Sequence, residues 1–131
     1  MRHRKTTVKL GRTTAHRNAM LSSLVCSLIL CGRIRTTVAK AKAARRLAER
    51  SVTWGRAGTL AARRRALAVL RQKRAVSRLF KEIAPAMSDR NGGYTRIVRL
   101  PGRRRDSATM AILEWVRPIG ESGSASSTPA A

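Results

Sequence analysis

Arg90-Asn91-Gly92-Gly93-Tyr94-Thr95-Arg96-Ile97-Val98-Arg99-Leu100 is the stretch on which the fold turns. Two adjacent glycines behind an Arg-Asn pair cannot continue a helix, because each glycine costs about 1 kcal/mol there and asparagine accepts left-handed backbone. The residues that follow are Tyr, Thr, Ile and Val, the residue types of a strand. The chain therefore reads as mostly helix upstream of this turn and as sheet from Tyr94 to Arg117. A second reading attaches to the same turn. Bare glycine backbone lies between Arg90, Tyr94 and Arg96, where a phosphate or a base has room to approach. The plain alternative is a helix-to-strand turn and nothing more, and the residues alone do not choose.

Upstream, Val76, Leu79, Phe80, Ile83 and Met87 form an apolar stripe at helical spacing, limited near its end by Pro85. Thr59 is placed to cap a helix to about Leu70, with Leu60, Leu67 and Leu70 inward and Arg63, Arg64 and Arg65 outward. No proline or glycine interrupts Arg71-Gln72-Lys73-Arg74, so periodicity leaves open whether these are two helices or one. Gly55 to Gly58 reads as a break. Before it, Thr37 caps a helix over about Val38 to Trp54, with a small inner face of Ala41, Ala44, Ala48 and Val52. Its outer face carries Lys40, Lys42, Arg45, Arg46 and Arg50, with Glu49 the one acid available for i,i+4 pairing. Arg33 to Val38 alternates and is β-branched, which predicts a strand of about four residues. Ahead of it, a helix from about Ala15 to Cys31 is capped by Thr13 or Thr14 and ended by Gly32. Its buried stripe reads as Met20, Leu24, Ser27, Leu28 and Cys31, widened by Val25, Ile29 and Leu30. Cys26 and Cys31 do not share a helix face and read as two reduced, buried thiols; no CxxC spacing suggests zinc.

Three regions follow from composition. Residues 1–14 lack an apolar period and read as a basic arm, 15–117 as one domain, and 118–131, rich in Gly, Ser, Ala, Thr and Pro, as a disordered tail. The two final strands fall at about Tyr94–Leu100 and Ala108–Arg117. Ala111, Leu113 and Trp115 share one face of the last strand, and which face meets the helices stays open.

Charge narrows the function. Twenty-nine Lys and Arg against six Asp and Glu give a formal +23 and a pI near 12.0. So one-sided a surface makes sense beside a polyanion, and counterion release rewards each cation placed on a phosphate. The scattered acids offer no paired carboxylates for acid–base work and no magnesium cluster. No nucleotide-cradling glycine motif occurs, and the apolar run Leu24 to Cys31 is too short to span a membrane. An enzyme, a metal site, a cofactor and a small-molecule substrate are therefore not expected. Neither helix-turn-helix nor finger motifs are recognisable, and few aromatics are present to form a stacking platform. Tyr94 alone sits in a basic, glycine-flanked setting suited to stacking or a hydroxyl–phosphate bond. The candidate RNA contacts are Arg2, His3, Arg4, Lys5, Lys9 and Arg12 in the arm, with His16 and Arg17 just after it. Arg33, Arg35, Thr36 and Thr37 surround the short strand; Lys40, Lys42, Arg45, Arg46, Arg63 and Arg64 line the helices. Arg90, Gly92, Gly93, Tyr94 and Arg96 complete the set at the turn. A nucleoid-type basic DNA-binding protein is the alternative reading.

With these residues in view, the chain resembles the bacterial large-subunit ribosomal protein seventeen family. The resemblance is carried by Met1-Arg2-His3-Arg4-Lys5, Gly11-Arg12, His16-Arg17 with Ala19-Met20, Ser27-Leu28, Ile34 with Thr36-Thr37, and Lys40-Ala41-Lys42 with Arg45-Arg46 and Glu49. It continues through Leu79-Phe80, Arg90 with Gly92-Gly93-Tyr94-Thr95-Arg96-Ile97, and Met110-Ala111 with Glu114, and so covers residues 1 to about 117. It implies an α+β, two-layer fold ordered helix–strand–three helices–two strands, with a small mixed sheet covered by helices, and it makes the third and fourth helices separate. It also implies a structural constituent of the cytoplasmic large ribosomal subunit, bound to large-subunit ribosomal RNA beside neighbouring ribosomal proteins near the peptide-tunnel exit side. The ribosome implied is bacterial, with an organellar one left open by the residues. Ser22, Ser23, Cys31-Gly32, Ala43 and Arg105 depart from the family pattern, on the first helix, the second helix and the 101–107 loop.

Overall fold

The computed structural model describes residues 3–119; Arg2 and the tail beyond Ile119 lie outside them. Helix α1 spans Thr14–Cys31, strand β1 Arg33–Thr37, helix α2 Val38–Ala57 and helix α3 Leu60–Leu70. Helix α4 starts at Lys73–Arg78, widens into π geometry over Leu79–Ile83 and ends in a turn at Ala84–Ala86. Strands β2, Thr95–Leu100, and β3, Met110–Trp115, close the domain. The expected α+β order is the order observed.

Each of the first three helices begins on a threonine. Thr13, Thr37 and Thr59 accept the amide hydrogens of His16, Lys40 and Ala62, satisfying donors that a helix start leaves open. The ends are less uniform. Gly32 and Gly58 close α1 and α2 in left-handed backbone, whereas Arg71 closes α3 at φ 62, a conformation that costs a side chain about 1 kcal/mol or more. Two donors from α1 secure that end: the Ser22 hydroxyl to the Val69 carbonyl, and the Cys26 thiol to the Leu70 carbonyl at 3.3 Å. Burial pushes the Cys26 thiol up from its ordinary pKa, so it is a donor at neutral pH. The departure at Ser22 is thus a docking residue between helices. This inward turn also corrects the buried stripe of α1: Ser22, Val25, Cys26, Leu28 and Ile29 are buried, while Ser27 and Cys31 face solvent.

Helix α2 touches every other element. Its inner face is Ala41, Ala44, Ala48, Ser51 and Val52, all inaccessible to solvent, and small residues let the neighbouring backbones come close. Gly55 belongs to that face. The helix runs through it and ends at Ala57, so the expected break at Gly55 is corrected to one at Gly58. The reason is steric: a Cβ on Gly55 would lie 2.7 Å from the Cβ of Ala84. From α4, Val76, Leu79, Ile83 and Met87 fill the core, as their spacing predicts; Leu60, expected inward, is 62% exposed.

The sheet order is β1-β3-β2, and both ladders are antiparallel. The expected mixed sheet is therefore corrected. β1 and β2 run the same way, but β3 lies between them and opposes both, so no parallel ladder forms. Ala111, Leu113 and Trp115 turn toward the helices, which settles the open question of the last strand's face. The Trp115 indole donates to the Leu28 carbonyl at 3.2 Å and ties the sheet's middle strand to the end of α1.

Gly55→Ala should destabilise the domain. Alanine favours a helix by about 1 kcal/mol, but forcing a methyl against Ala84 costs about 1–3 kcal/mol, and backbone must move to relieve it. Urea unfolding is the measurement; an unchanged or raised midpoint would show that the α2–α4 approach is slack.

Candidate nucleic-acid interface

The turn from Arg90 to Arg96 is held from inside. Gly92 and Gly93 take φ of 139 and 61, with open space around both, so glycine is required there by backbone conformation and not by a close neighbour. Immediately after them the amides of Tyr94 and Thr95 donate to the two carboxylate oxygens of Glu49, at 3.1 and 2.9 Å, and the Thr95 hydroxyl donates to the same group at 2.7 Å. Tyr94 is buried, 3% exposed, and its hydroxyl accepts from the Arg56 guanidinium at 2.7 Å. Arg56 also reaches the Ser88 carbonyl at 3.3 Å and lies 5.9 Å from the Tyr94 ring centre. The expectation of Tyr94 as a stacking or phosphate-binding residue is thereby corrected. A ring enclosed by protein offers no face to a base, and its hydroxyl is already engaged. Arg96 pairs with Glu114 across the sheet at 2.6 Å.

Other candidates divide between open and engaged. Thr36 is buried, and Thr37 spends its hydroxyl on the α2 cap. Arg63 stacks on Phe80, 4.7 Å from the ring centre. Arg33 and Arg35 stand exposed on the outer sheet face, where Arg33, Glu114 and Arg96 share one row across the strands. On α2, Lys42, Arg45 and Arg46 are exposed, Lys40 half-buried, and Arg64 is exposed on α3. Arg4, Lys5, Lys9 and His16 are exposed and Arg12 and Arg17 half-buried; His3 is exposed at the start of the described arm, and Arg90 is half-buried.

The arm lies along the helices and not away from them. Arg46 donates to the Thr6 carbonyl at 2.7 Å, and residues 6–8 form one wall of a groove whose other sides come from α1, α2 and α3. Arg17, Lys42, Arg46, Arg50 and Arg71 line it. Arg17, Lys42 and Arg46 are expected contacts by sequence; Arg50 is legible only as part of the outer face of α2, and Arg71 carries no sequence signal because nothing local marks where α3 stops.

Acids are consumed elsewhere. Every carboxylate among the described residues faces an arginine: Arg45–Glu49, Arg78–Glu82, Arg96–Glu114, Arg103–Asp106 and Arg117–Asp89. The Arg45 contact is the longest at 4.0 Å, because Glu49 is turned toward the strand. In the loop between β2 and β3, Arg103 grips Asp106 through two nitrogens at 2.9 and 2.6 Å. Asp106 also accepts from the Ala108 amide, and the loop carries Arg104 and Arg105 exposed at its tip. The Arg103 bond, followed by that amide, lowers the Asp106 pKa to about 2. Among the described residues no three His, Cys, Asp or Glu side chains gather as a metal site, and no helix is long and apolar enough to cross a membrane.

The family model for ribosomal protein L17 matches residues 20–116. The chain is 52% identical over 116 residues to the large ribosomal subunit protein bL17 of Fusobacterium nucleatum, covering 88% of this chain and 100% of that one. The protein of the same name from Finegoldia magna is 56% identical over 108 residues, 82% of each chain. That of Syntrophus aciditrophicus is 48% identical over 119 residues, 91% of this chain and 95% of its own.

Two outcomes are expected of this geometry. Glu49→Gln replaces one accepting oxygen with an amide donor that faces donors, which should cost about 2 kcal/mol in urea unfolding. A loss within measurement error would mean the turn is held by packing alone. The loop clamp should be at full strength above the ordinary aspartate pKa and be lost as pH falls through about 2. A carboxyl-carbon NMR titration of Asp106 with its midpoint near 3.8 would show the clamp open in solution.

Proposed function

The chain belongs to the ribosomal protein L17 family, and from that membership we propose that it is a non-catalytic structural constituent of the large ribosomal subunit that binds and stabilises large-subunit ribosomal RNA. The observation that carries this reading is the separation of charge. Carboxylates are spent on internal pairs, while Lys42, Arg46, Arg50 and Arg64 stand on helix faces without a carboxylate partner among the described residues. Such a surface attracts phosphate, and its rigid helical support fixes where each guanidinium points.

Recognition follows from shape and backbone, not from a base-reading platform. Helix α2 presents its cations as a fixed row for RNA phosphates, and the basic arm extends the row along the α1–α2 side. Arg104 and Arg105 add a third basic point at the sheet end. The family resemblance adds a place near the peptide-tunnel exit side, beside other ribosomal proteins in the cytoplasmic ribosome. The RNA works on the protein in return, because it neutralises a surface that otherwise repels itself.

The test is binding of the full chain to bacterial large-subunit ribosomal RNA and to duplex DNA of equal length, each over a salt series. Preference for the RNA at every salt is expected, whereas equal or tighter binding to DNA would favour a nucleoid-type role. Removing residues 1–12 should weaken RNA binding and lower the logarithmic salt slope by roughly 3–4, as losing four or five phosphate contacts requires. An unchanged slope would place the arm off the phosphates.

A further inference from the structure

The groove between the arm and α1, α2 and α3 has a volume of about 650 Å³ with the arm in place. Leu21, Leu47 and Val69 give it an apolar floor, and Lys42, Arg50 and Arg71 stand around it with no acid among its lining residues. Resting on the RNA reading above, we propose that this groove receives one unstacked nucleotide of the bound RNA, its base on the apolar floor and its phosphates on Lys42, Arg50 and Arg71.

The shape comes first. A helix face laid on a duplex needs no concavity, since the phosphates of a duplex lie outermost. This groove is concave, and its size falls within the range of small-molecule sites. The chemistry agrees. A duplex hides its base faces, so a site that joins apolar floor to cationic rim matches a nucleotide taken out of the stack, the form in which bases offer both face and flanking phosphate. The guanidiniums of Arg50 and Arg71 can lie flat on a base as well as bond a phosphate.

The cations are also available. Arg46 is occupied with the Thr6 carbonyl and so builds the wall, and Arg17 leans on its own helix through Thr14 at 3.5 Å. The side chains of Lys42, Arg50 and Arg71 make no hydrogen bond or ion pair with any described residue. Arg71 carries the strongest single sign. It closes α3 at φ 62, where glycine is the cheap residue and a side chain gives the turn nothing. A side chain kept in left-handed backbone, where glycine would serve the helix stop with less strain, is a mark of functional positions. Here it sets a guanidinium on the rim of the groove.

Ala43→Phe and Ala68→Phe each fill the groove, from α2 and from α3, without altering charge. Bacterial large-subunit ribosomal RNA is the probe, read by filter binding over a salt series and by ultraviolet crosslinking with peptide mapping. In the unaltered chain, bases should crosslink to peptides that contain Leu21, Leu47 or Val69. Either filled variant, checked for folding by circular dichroism, should bind roughly 5- to 100-fold more weakly, lower the salt slope by no more than roughly 1–3 as the phosphates at Lys42, Arg50 and Arg71 are lost, and lose those crosslinks. Unchanged affinity in a folded variant would overturn the proposal. Crosslinks confined to other peptides of the unaltered chain would overturn it without any variant. Failure of the unaltered chain to bind the RNA at all is a different result, since it removes the ribosomal RNA reading itself.

Discussion

One carboxylate joins the two halves of this domain. Glu49 leaves the middle of α2 and accepts the first two amides of the β2 entry together with the Thr95 hydroxyl. Those donors follow two glycines in unusual backbone, so they arrive at the helix with no strand partner of their own. Thr95 pairs outward with Trp115 only on its β3 side. A carboxylate is suited to the position because it accepts from three donors and brings no hydrogen that must be satisfied in turn. No lysine or arginine could take its place, and in a chain with so few acids this one is put where several backbone groups would otherwise be buried without partners. From this anchor the order of the sheet follows: β2 is pinned to α2, β3 returns beside it, and β1 completes the far edge.

The same helix explains how a small core supports so much charge. Alanine at Ala41, Ala44 and Ala48, and glycine at Gly55, bring α2 close to its neighbours. Close approach puts long cations on the opposite face onto a stiff base instead of a mobile loop. Packing and charge display are then a single property of one helix, with short side chains inward and long ones outward. Cross-helix capping works alike. Ser22 and Cys26 end α3, and Arg78 donates to the Leu30 carbonyl at the end of α1, so polar groups at these helix ends are satisfied by neighbours in the fold.

What was readable in the sequence was what local chemistry dictates. Threonine caps, the alanine face of α2, the α4 stripe and the glycine-led switch to sheet depend on residues within a turn or two of each other. Features decided by distant neighbours were not readable. Gly55 looks like a breaker until Ala84 is seen against it. The stop at Arg71 has no local mark, because its cause is two donors more than forty residues away on α1. Ser27 and Cys31 were placed in the α1 core since they keep the spacing of Leu24 and Leu28, but the true contact face is turned toward Ser22 and Cys26. Tyr94 stood beside arginines in sequence, as a base-stacking residue would, yet its partners Arg56 and Glu49 come from another helix. For the candidate interface, the cations of the arm and α2 were legible by composition, whereas the groove that gathers them was not.

Charge in this protein is divided by task. Carboxylates, half-buried at Glu49 and Glu114 and exposed at Glu82, Asp89 and Asp106, serve the backbone and neighbouring arginines, and the surplus cations serve the surface. An acid placed beside a surface arginine neutralises it, because the internal pair must be broken or shared before an external one forms. Glu49, Asp106 and Asp89 hold turns and loops in place, and no acid lines the groove where Lys42, Arg46 and Arg50 gather, so the cations there meet no such competition. The cost is a molecule that repels itself when alone, with little beyond a modest core and these few clamps to resist. On the proposed reading a bound polyanion would remove that repulsion at the points where the helices present it, so the features that destabilise the free chain would be those that favour the bound one.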